Sequence, residues 1–115
     1  MHERCFLNFF FNERLFKKKV IPIFGSSAEI AELFKTSSMN IDFLFIDGDH
    51  KYASVKIDYY MWSVFNPTYV VFHDYTNSPY VLRFVTEIKD DYKYFNVVGS
   101  MAILKERKKI IPKIF

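Results

Sequence analysis

Short apolar segments alternate with stretches of helical periodicity from residue 20 onward. The apolar segments have the length and the β-branched or aromatic content of strands, and helices are predicted between the first four of them. Strands that alternate with helices in this way are joined by βαβ crossovers, which predicts an α/β fold with a mostly parallel sheet. The last two strands are separated only by Gly99-Ser100, which predicts a tight turn and one antiparallel strand at an edge. The predicted strands are 20–24, 41–46, 68–72, 94–98 and 101–104.

Local signals mark the ends of three predicted helices. Ser26 has the position of an N-cap, and Glu29 follows three residues later, as in a capping box. Pro67 ends the second helix, because proline disfavours a helical residue before it. Ser78-Pro79 is the expected opening of the third helix. The predicted helices are 27–35, 51–65 and 79–88.

The length of the chain, 115 residues, fits a single domain. Residues 1–19 are predicted to form an N-terminal helix, 20–104 the βα units, and 105–115 a basic tail. Phe45 and Val71 lie in the middle of two predicted strands, so both are expected to be fully buried. Truncating Phe45 to Ala is therefore expected to cost about 3–5 kcal/mol.

Composition excludes several classes of protein. Half of the residues are hydrophobic and 20% are aromatic, which argues for a packed core and against disorder. The net charge of +3 is too small to indicate a nucleic-acid partner. The single Cys5 excludes an intrachain disulfide, and the apolar run at 5–11 is too short to span a bilayer. The expectation is a cytoplasmic protein that binds neither nucleic acid nor membrane.

Polar residues follow the first three predicted strands at the point where each strand ends. In open parallel sheets, ligands bind outside these carboxyl ends. Two of the three histidines and three carboxylates fall there. Carboxylates combined with an imidazole suit Mg²⁺ or Mn²⁺, and a histidine can accept a proton from a substrate hydroxyl. The three strand ends are Gly25-Ser26-Ser27, Asp47-Gly48-Asp49-His50 and His73-Asp74.

Each of these residues also has a structural explanation. Asp49 is better explained as a cap of the helix that starts near residue 51, and Ser26 as the cap of the preceding helix. A turn without any functional role would also explain Asp47, but its position directly after an apolar strand favours a functional role. A hydrogen-bonded core histidine explains His73 nearly as well as a ligand role does.

Taken together, these strand ends resemble the class I S-adenosylmethionine-dependent methyltransferases that include the catechol-type and macrocin-type O-methyltransferases. The resemblance rests on the segments 25–29, 41–50 and 70–75 and covers about residues 20 to 104. It implies a Rossmann-like fold, S-adenosylmethionine as the cofactor, and methyl transfer to a small hydroxylated substrate such as a sugar.

The resemblance also implies a role for individual residues. The acid after the second strand would bind a divalent cation, Mg²⁺ or Mn²⁺, together with the pair that follows the third strand. The residue three positions after that acid would be the general base, and the serine-containing turn would lie along the adenine of the cofactor. The implied metal ligands are Asp47, His73 and Asp74, the implied base is His50, and the implied cofactor-binding residues are Gly25, Ser26, Ser27 and Asp47.

One part of the family pattern is not found in this sequence. The family opens with a strand, a glycine-rich turn and a helix that hold the methionine end of the cofactor, whereas glycine occurs here only at positions 25, 48 and 99. In the family, this unit supplies two strands that lie between the counterparts of strands 20–24 and 41–46. The implied structure is a partial Rossmann-like fold with an exposed sheet edge. We expect such a chain to self-associate through that edge and to bind S-adenosylmethionine weakly or not at all.

Three functions can be compared on this basis. The first is a methyltransferase, or an inactive fragment of one. The second is a metallophosphoesterase, which would need several histidine and asparagine ligands for two metals, more than the three histidines supply. The third is a non-catalytic α/β module that packs against a partner chain.

Overall fold

The computed structural model describes residues 20–110, in which four strands form a single sheet. β1 and β2 pair in parallel, whereas β4 pairs antiparallel with both β2 and β3. The order across the sheet is β1-β2-β4-β3. The strands are β1 (Phe43–Ile46), β2 (Tyr69–Phe72), β3 (Tyr92–Val98) and β4 (Met101–Arg107).

The α/β class is confirmed, but two details of the predicted sheet are wrong. The sheet is mixed rather than mostly parallel, since only the β1–β2 pairing is parallel. The antiparallel strand β4 also lies inside the sheet and not at its edge. A two-residue connection at Gly99-Ser100 is too short for a crossover, so β4 has to return antiparallel to β3. Its alternate residues Ala102 and Leu104 are fully buried, which is the environment of an interior strand.

Three α-helices occupy the connections, close to where the sequence predicts them. They are α1 (Ser27–Phe34), α2 (Tyr52–Ser63) and α3 (Pro79–Ile88). Both predicted serine caps form: Ser26 Oγ accepts the Glu29 N–H at 3.1 Å, and Ser78 Oγ accepts the Val81 N–H at 3.4 Å. Within residues 20–110, no helix combines the length and the apolar character needed to cross a bilayer.

The hydrophobic core lies between the sheet and the helices α2 and α3. Val71 is only 4% exposed, as predicted, but Phe45 is 48% exposed, so the prediction that it is buried is wrong. Side chains alternate between the two faces of a strand, and Phe45 shares the exposed face of β1 with Phe43, whereas Ile46 on the other face is buried. The largest fully buried side chains are Tyr59, Phe65, Phe72, Phe84 and Leu104.

The strand predicted at residues 20–24 does not form. These residues have no regular secondary structure, and Ile21 is 81% exposed. A strand requires a neighbour to pair with, and none of the other described strands pairs with the outer side of β1. The helix predicted for residues 1–19 lies outside the described residues, as do residues 111–115 of the predicted basic tail. The first residues of that tail, up to Arg107, belong to β4.

The buried cap of α3 leads to a first prediction. Ser78 is buried and caps a helix whose inner face lies in the core. Ser78→Ala should therefore lower the free energy of unfolding by about 1 kcal/mol, measured by urea denaturation. Ser26→Ala, at the exposed cap of α1, is the matched control and should have the smaller effect. Equal effects at the two positions would show that burial does not strengthen the cap.

Candidate functional site

Four ionisable side chains meet at the carboxyl ends of the parallel pair β1 and β2. Asp47 directly follows β1, and His73 and Asp74 directly follow β2. His50 lies in the loop between β1 and α2. The His73 N–H donates to the Ile46 carbonyl at 3.1 Å, which extends the pairing of the two strands into the site. We call Asp47, His50, His73 and Asp74 the carboxylate–histidine cluster.

Short contacts between imidazole nitrogens and carboxylate oxygens hold the cluster together. His50 Nε2 lies 2.8 Å from Asp74 Oδ2, and His73 Nδ1 lies 2.9 Å from the same oxygen. His73 Nδ1 is also 3.3 Å from Asp47 Oδ1. Although it is this close to both carboxylates, Nδ1 is buried and has no hydrogen-bond partner of good geometry.

These contacts shift the protonation equilibria of the cluster. The pKa of His73 is raised, chiefly by the Asp74 carboxylate and further by Asp47, although desolvation opposes the increase. The pKa of Asp74 is lowered, chiefly by His73, with the Asn77 amide contributing. Each shift favours the charged form, so the pair acts as an ion pair over a wider pH range than free side chains would.

Three members of the cluster have the arrangement of cation ligands. Asp47, His50 and Asp74 can each place one ligand atom so that these atoms lie within 4.8 Å of one another. Two carboxylates and one imidazole fit a divalent cation such as Mg²⁺ or Mn²⁺. The predicted set of metal ligands contained His73 in place of His50. His73 also lies close to both carboxylates. The geometry thus brings together the three predicted metal ligands, Asp47, His73 and Asp74, and the predicted base, His50.

Asp49 has a different environment. Its Oδ1 accepts the Lys51 N–H at 3.0 Å, and its Oδ2 accepts the Ser54 hydroxyl at 3.2 Å. The pKa of Asp49 is lowered, chiefly by the hydrogen bond from the Lys51 backbone. Both partners lie at the start of α2, as the structural explanation of Asp49 requires.

A cleft of about 400 Å³ runs along the outer side of β1 and ends at the cluster. Ser27 Oγ accepts the Trp62 indole N–H there at 2.6 Å. Burial raises the pKa of Asp58, although a hydrogen bond from Ser27 opposes this increase. Gly48 also lines the cleft, and a Cβ at this position would lie 3.2 Å from Asp58 Oδ2. Asp47 lines the cleft as well and therefore belongs to both sites.

The other residues expected to bind a cofactor have local roles. Ser26 caps α1, and neither Ser26 nor Gly25 lines the cleft. Gly25 has a φ of 145°, and a Cβ there would lie 2.9 Å from Ile30 Cδ1. Sequence reasoning assigned no site role to Asp58 and interpreted Trp62 as core. Their i, i+4 spacing, which places both on one side of α2, is the signal that could have identified them.

Comparison with known proteins agrees with this geometry at the level of the family. A search of curated proteins finds no significant match to the chain. The methyltransferase domain family matches residues 6–75, which is more than half of the 115 residues. The match includes the ends of β1 and β2, and with them the whole carboxylate–histidine cluster. This chain therefore belongs to the methyltransferase domain family, and methyl transfer is the general function that this membership supports.

Proposed function

We propose that the protein transfers a methyl group from S-adenosylmethionine to a hydroxyl oxygen of a small molecule, with the help of a divalent cation. The observation that carries this proposal is the meeting of Asp47, His50 and Asp74 within 4.8 Å at the ends of β1 and β2, in a chain of the methyltransferase domain family. We place the sheet in a Rossmann-like domain, consistent with the parallel β1–β2 pair and the helices between the strands.

Asp47 and Asp74 would hold the cation, since one carboxylate oxygen of each lies within 4.8 Å of the other at the ends of adjacent strands. A bound divalent cation orients a substrate hydroxyl and favours its ionised form. His50 is half-exposed and lies 2.8 Å from Asp74. Its Nε2–H can donate to the Asp74 carboxylate, which orients the ring and leaves Nδ1 as the nitrogen that can accept the hydroxyl proton. His73, between the two aspartates, would complete the ligand set or fix their orientation.

The cleft beside β1 would hold the cofactor. S-adenosylmethionine carries a methyl group on a positively charged sulfur. A nucleophilic oxygen can attack this methyl carbon directly, and the sulfur leaves with the bonding electrons. The cleft offers apolar contacts from β1, the Trp62 ring, and the polar side chains of Ser27 and Asp58. Because Asp47 lines the cleft and also belongs to the cluster, methyl donor and acceptor would meet beside this residue.

A second candidate function is supported by the open side of β1. Tyr69 N donates to Asp42 O, and His73 N donates to Ile46 O. Since alternate residues of a strand bond to one neighbour, the backbone groups of Phe43 and Phe45 face the other side, where no described strand pairs with them. Phe43 and Phe45 are also each about half exposed. Such an edge favours pairing with another chain, as expected of a module that packs against a partner.

Tryptophan fluorescence can test cofactor binding directly. Trp62 is the only tryptophan in the chain and lies in the proposed cleft. Addition of S-adenosylmethionine should change its emission and saturate, with weak affinity because no glycine-rich turn is present to hold the methionine end. Mg²⁺ should strengthen the response if Asp47 links the two sites. Asp58→Asn should weaken it, whereas Asp42→Asn, outside the cleft lining, is the matched control.

The same titration separates the two candidate functions. Saturable binding together with methyl transfer to a hydroxylated acceptor would support the enzyme. Absence of any response, combined with dimers or larger species in light scattering, would support the packing module. A monomer that binds the cofactor at micromolar concentration would contradict the expectation of an incomplete cofactor site.

A further inference from the structure

A second cleft, of about 320 Å³, lies at the opposite end of the sheet from the carboxylate–histidine cluster. The cluster follows the last residues of β1 and β2. This cleft is formed where β2 and β3 begin and where antiparallel β4 ends. The residues that matter for its chemistry are Ser63, Asn66, Tyr92, Lys93, Glu106 and Arg107.

Two buried hydrogen-bonding atoms on this cleft have no partner. Across residues 20–110, the buried side-chain atoms without a hydrogen bond are His73 Nδ1, Ser63 Oγ and Arg107 Nε. The first belongs to the cluster described above, and the other two belong to residues that line this cleft. Ser63 is only 3% exposed. Buried donors are normally paired, because leaving one unpaired removes its hydration without replacement. The Arg107 Nε–H can only donate, so its missing partner is an acceptor, and the Ser63 hydroxyl is able to donate to an acceptor as well.

The guanidinium of Arg107 is held in place by its other contacts. One terminal nitrogen donates to the Tyr59 hydroxyl, and the other lies 3.6 Å from Asp91 Oδ2. The guanidinium carbon also lies 5.7 Å from the centre of the Tyr92 ring. These contacts fix the orientation of the group and leave Nε–H as a buried donor. A fixed guanidinium with a free donor is preorganised for an oxyanion.

The backbone around the cleft points in the same direction. Three non-glycine residues in the described chain have a left-handed φ: Asp74 at 60°, Asn66 at 55° and Glu106 at 57°. Asp74 belongs to the carboxylate–histidine cluster, and the other two line this cleft. Such conformations are uncommon and concentrate at functional sites. Unpaired buried atoms and left-handed residues thus occur together at both ends of the sheet.

We infer that this cleft binds a small oxyanion, namely the carboxylate or phosphate group of a small molecule, through the Arg107 Nε–H and the Ser63 hydroxyl. The basic lining residues, Lys93 and Arg107, outnumber the one acidic residue, Glu106, and favour a negatively charged ligand. The site is separate from the proposed methyl-transfer site and does not depend on it. Its ligand need not be a substrate of the methyl transfer.

The side-chain N–H signals of arginine in ¹H–¹⁵N NMR spectra report this binding directly. Titration with inorganic phosphate, and separately with acetate, should shift the Arg107 Nε–H signal in a saturable way. The anion with the larger saturating shift and the tighter binding identifies the preferred group. The signal can be assigned because it is lost in Arg107→Lys. This variant keeps the charge but not the Nε–H, so its affinity should fall by about ten-fold or more.

Two further variants make the test decisive. Ser63→Ala should also weaken binding by about ten-fold without loss of stability, since its hydroxyl has no partner to lose. It supplies the answer if Arg107→Lys fails to fold. Arg83→Lys, at an exposed guanidinium on α3 paired with Glu87, is the matched control and should bind as the unaltered protein does. An Arg107 signal that does not move with either anion, or binding that survives Ser63→Ala unchanged, would overturn the inference.

Discussion

His50→Gln is expected to lower the rate of methyl transfer by roughly 100- to 10,000-fold, the usual contribution of a positioned general base. Glutamine keeps the approximate size of the side chain and its ability to hydrogen bond to Asp74, but it cannot accept a proton at neutral pH. The rate should be measured with radiolabelled methyl donor at saturating Mg²⁺, so that any change in cation affinity does not contribute. Circular dichroism of the variant verifies that the fold is unchanged, as expected for a half-exposed residue.

His73→Gln is the matched comparison, because this histidine contacts the same carboxylate oxygen. It should weaken Mn²⁺ binding, measured by electron paramagnetic resonance, more than it lowers the rate at saturating cation. If instead His50→Gln mainly weakens Mn²⁺ binding and His73→Gln mainly lowers the rate, His50 is the ligand and His73 the base. A rate for His50→Gln close to that of the unaltered protein would remove His50 from the chemistry altogether.

Phe72→Ala is expected to lower the free energy of unfolding by about 3–5 kcal/mol, measured by urea denaturation. Phe72 is fully buried, and its ring lies 5.9 Å from the Tyr59 ring and 6.0 Å from the Phe84 ring. Truncation would leave a cavity between β2, α2 and α3, where the helices cannot collapse without breaking other contacts. With a total stability of about 5–15 kcal/mol for a typical domain, a large part of the margin would be lost.

Phe45→Ala, on the neighbouring strand, provides the control. About half of the Phe45 side chain is exposed, so its truncation should cost clearly less than that of Phe72, in contrast to the estimate from sequence alone. A loss at Phe45 as large as that at Phe72 would show that the exposed face of β1 is covered in solution, by another chain or by residues outside those described.

Local features of this fold could be predicted from the sequence. The serine caps at Ser26 and Ser78 depend on residues only three positions apart, and both form as predicted. The strands β1 and β2 were located by their apolar runs. The meeting of Asp47 with His73 and Asp74 followed from the parallel arrangement of two adjacent strands, because parallel neighbours end at the same side of a sheet.

The features that could not be predicted depend on distant partners. The apolar pattern of residues 41–46 fits a strand covered on both faces, but exposure depends on whether a further strand or helix is present, and none of the described ones covers Phe45. The interior position of β4 depends on its pairing with β2. The β3–β4 hairpin alone would allow either strand to lie next to β2. The unpaired Ser63 and Arg107 atoms depend on side-chain positions that no local pattern specifies.

The position of β4 within the sheet has a consequence for the order in which the chain can fold. β2 is completed on one side by β1, which precedes it closely, but on the other side only by β4, at the far end of the described chain. During synthesis, β2 therefore remains half-paired until α3, β3 and β4 have all emerged. Contacts between residues so far apart in sequence slow folding, because the intervening loop must first be closed. In the meantime, β2 offers a free apolar edge to other nascent chains, and holding that edge is a task suited to a chaperone.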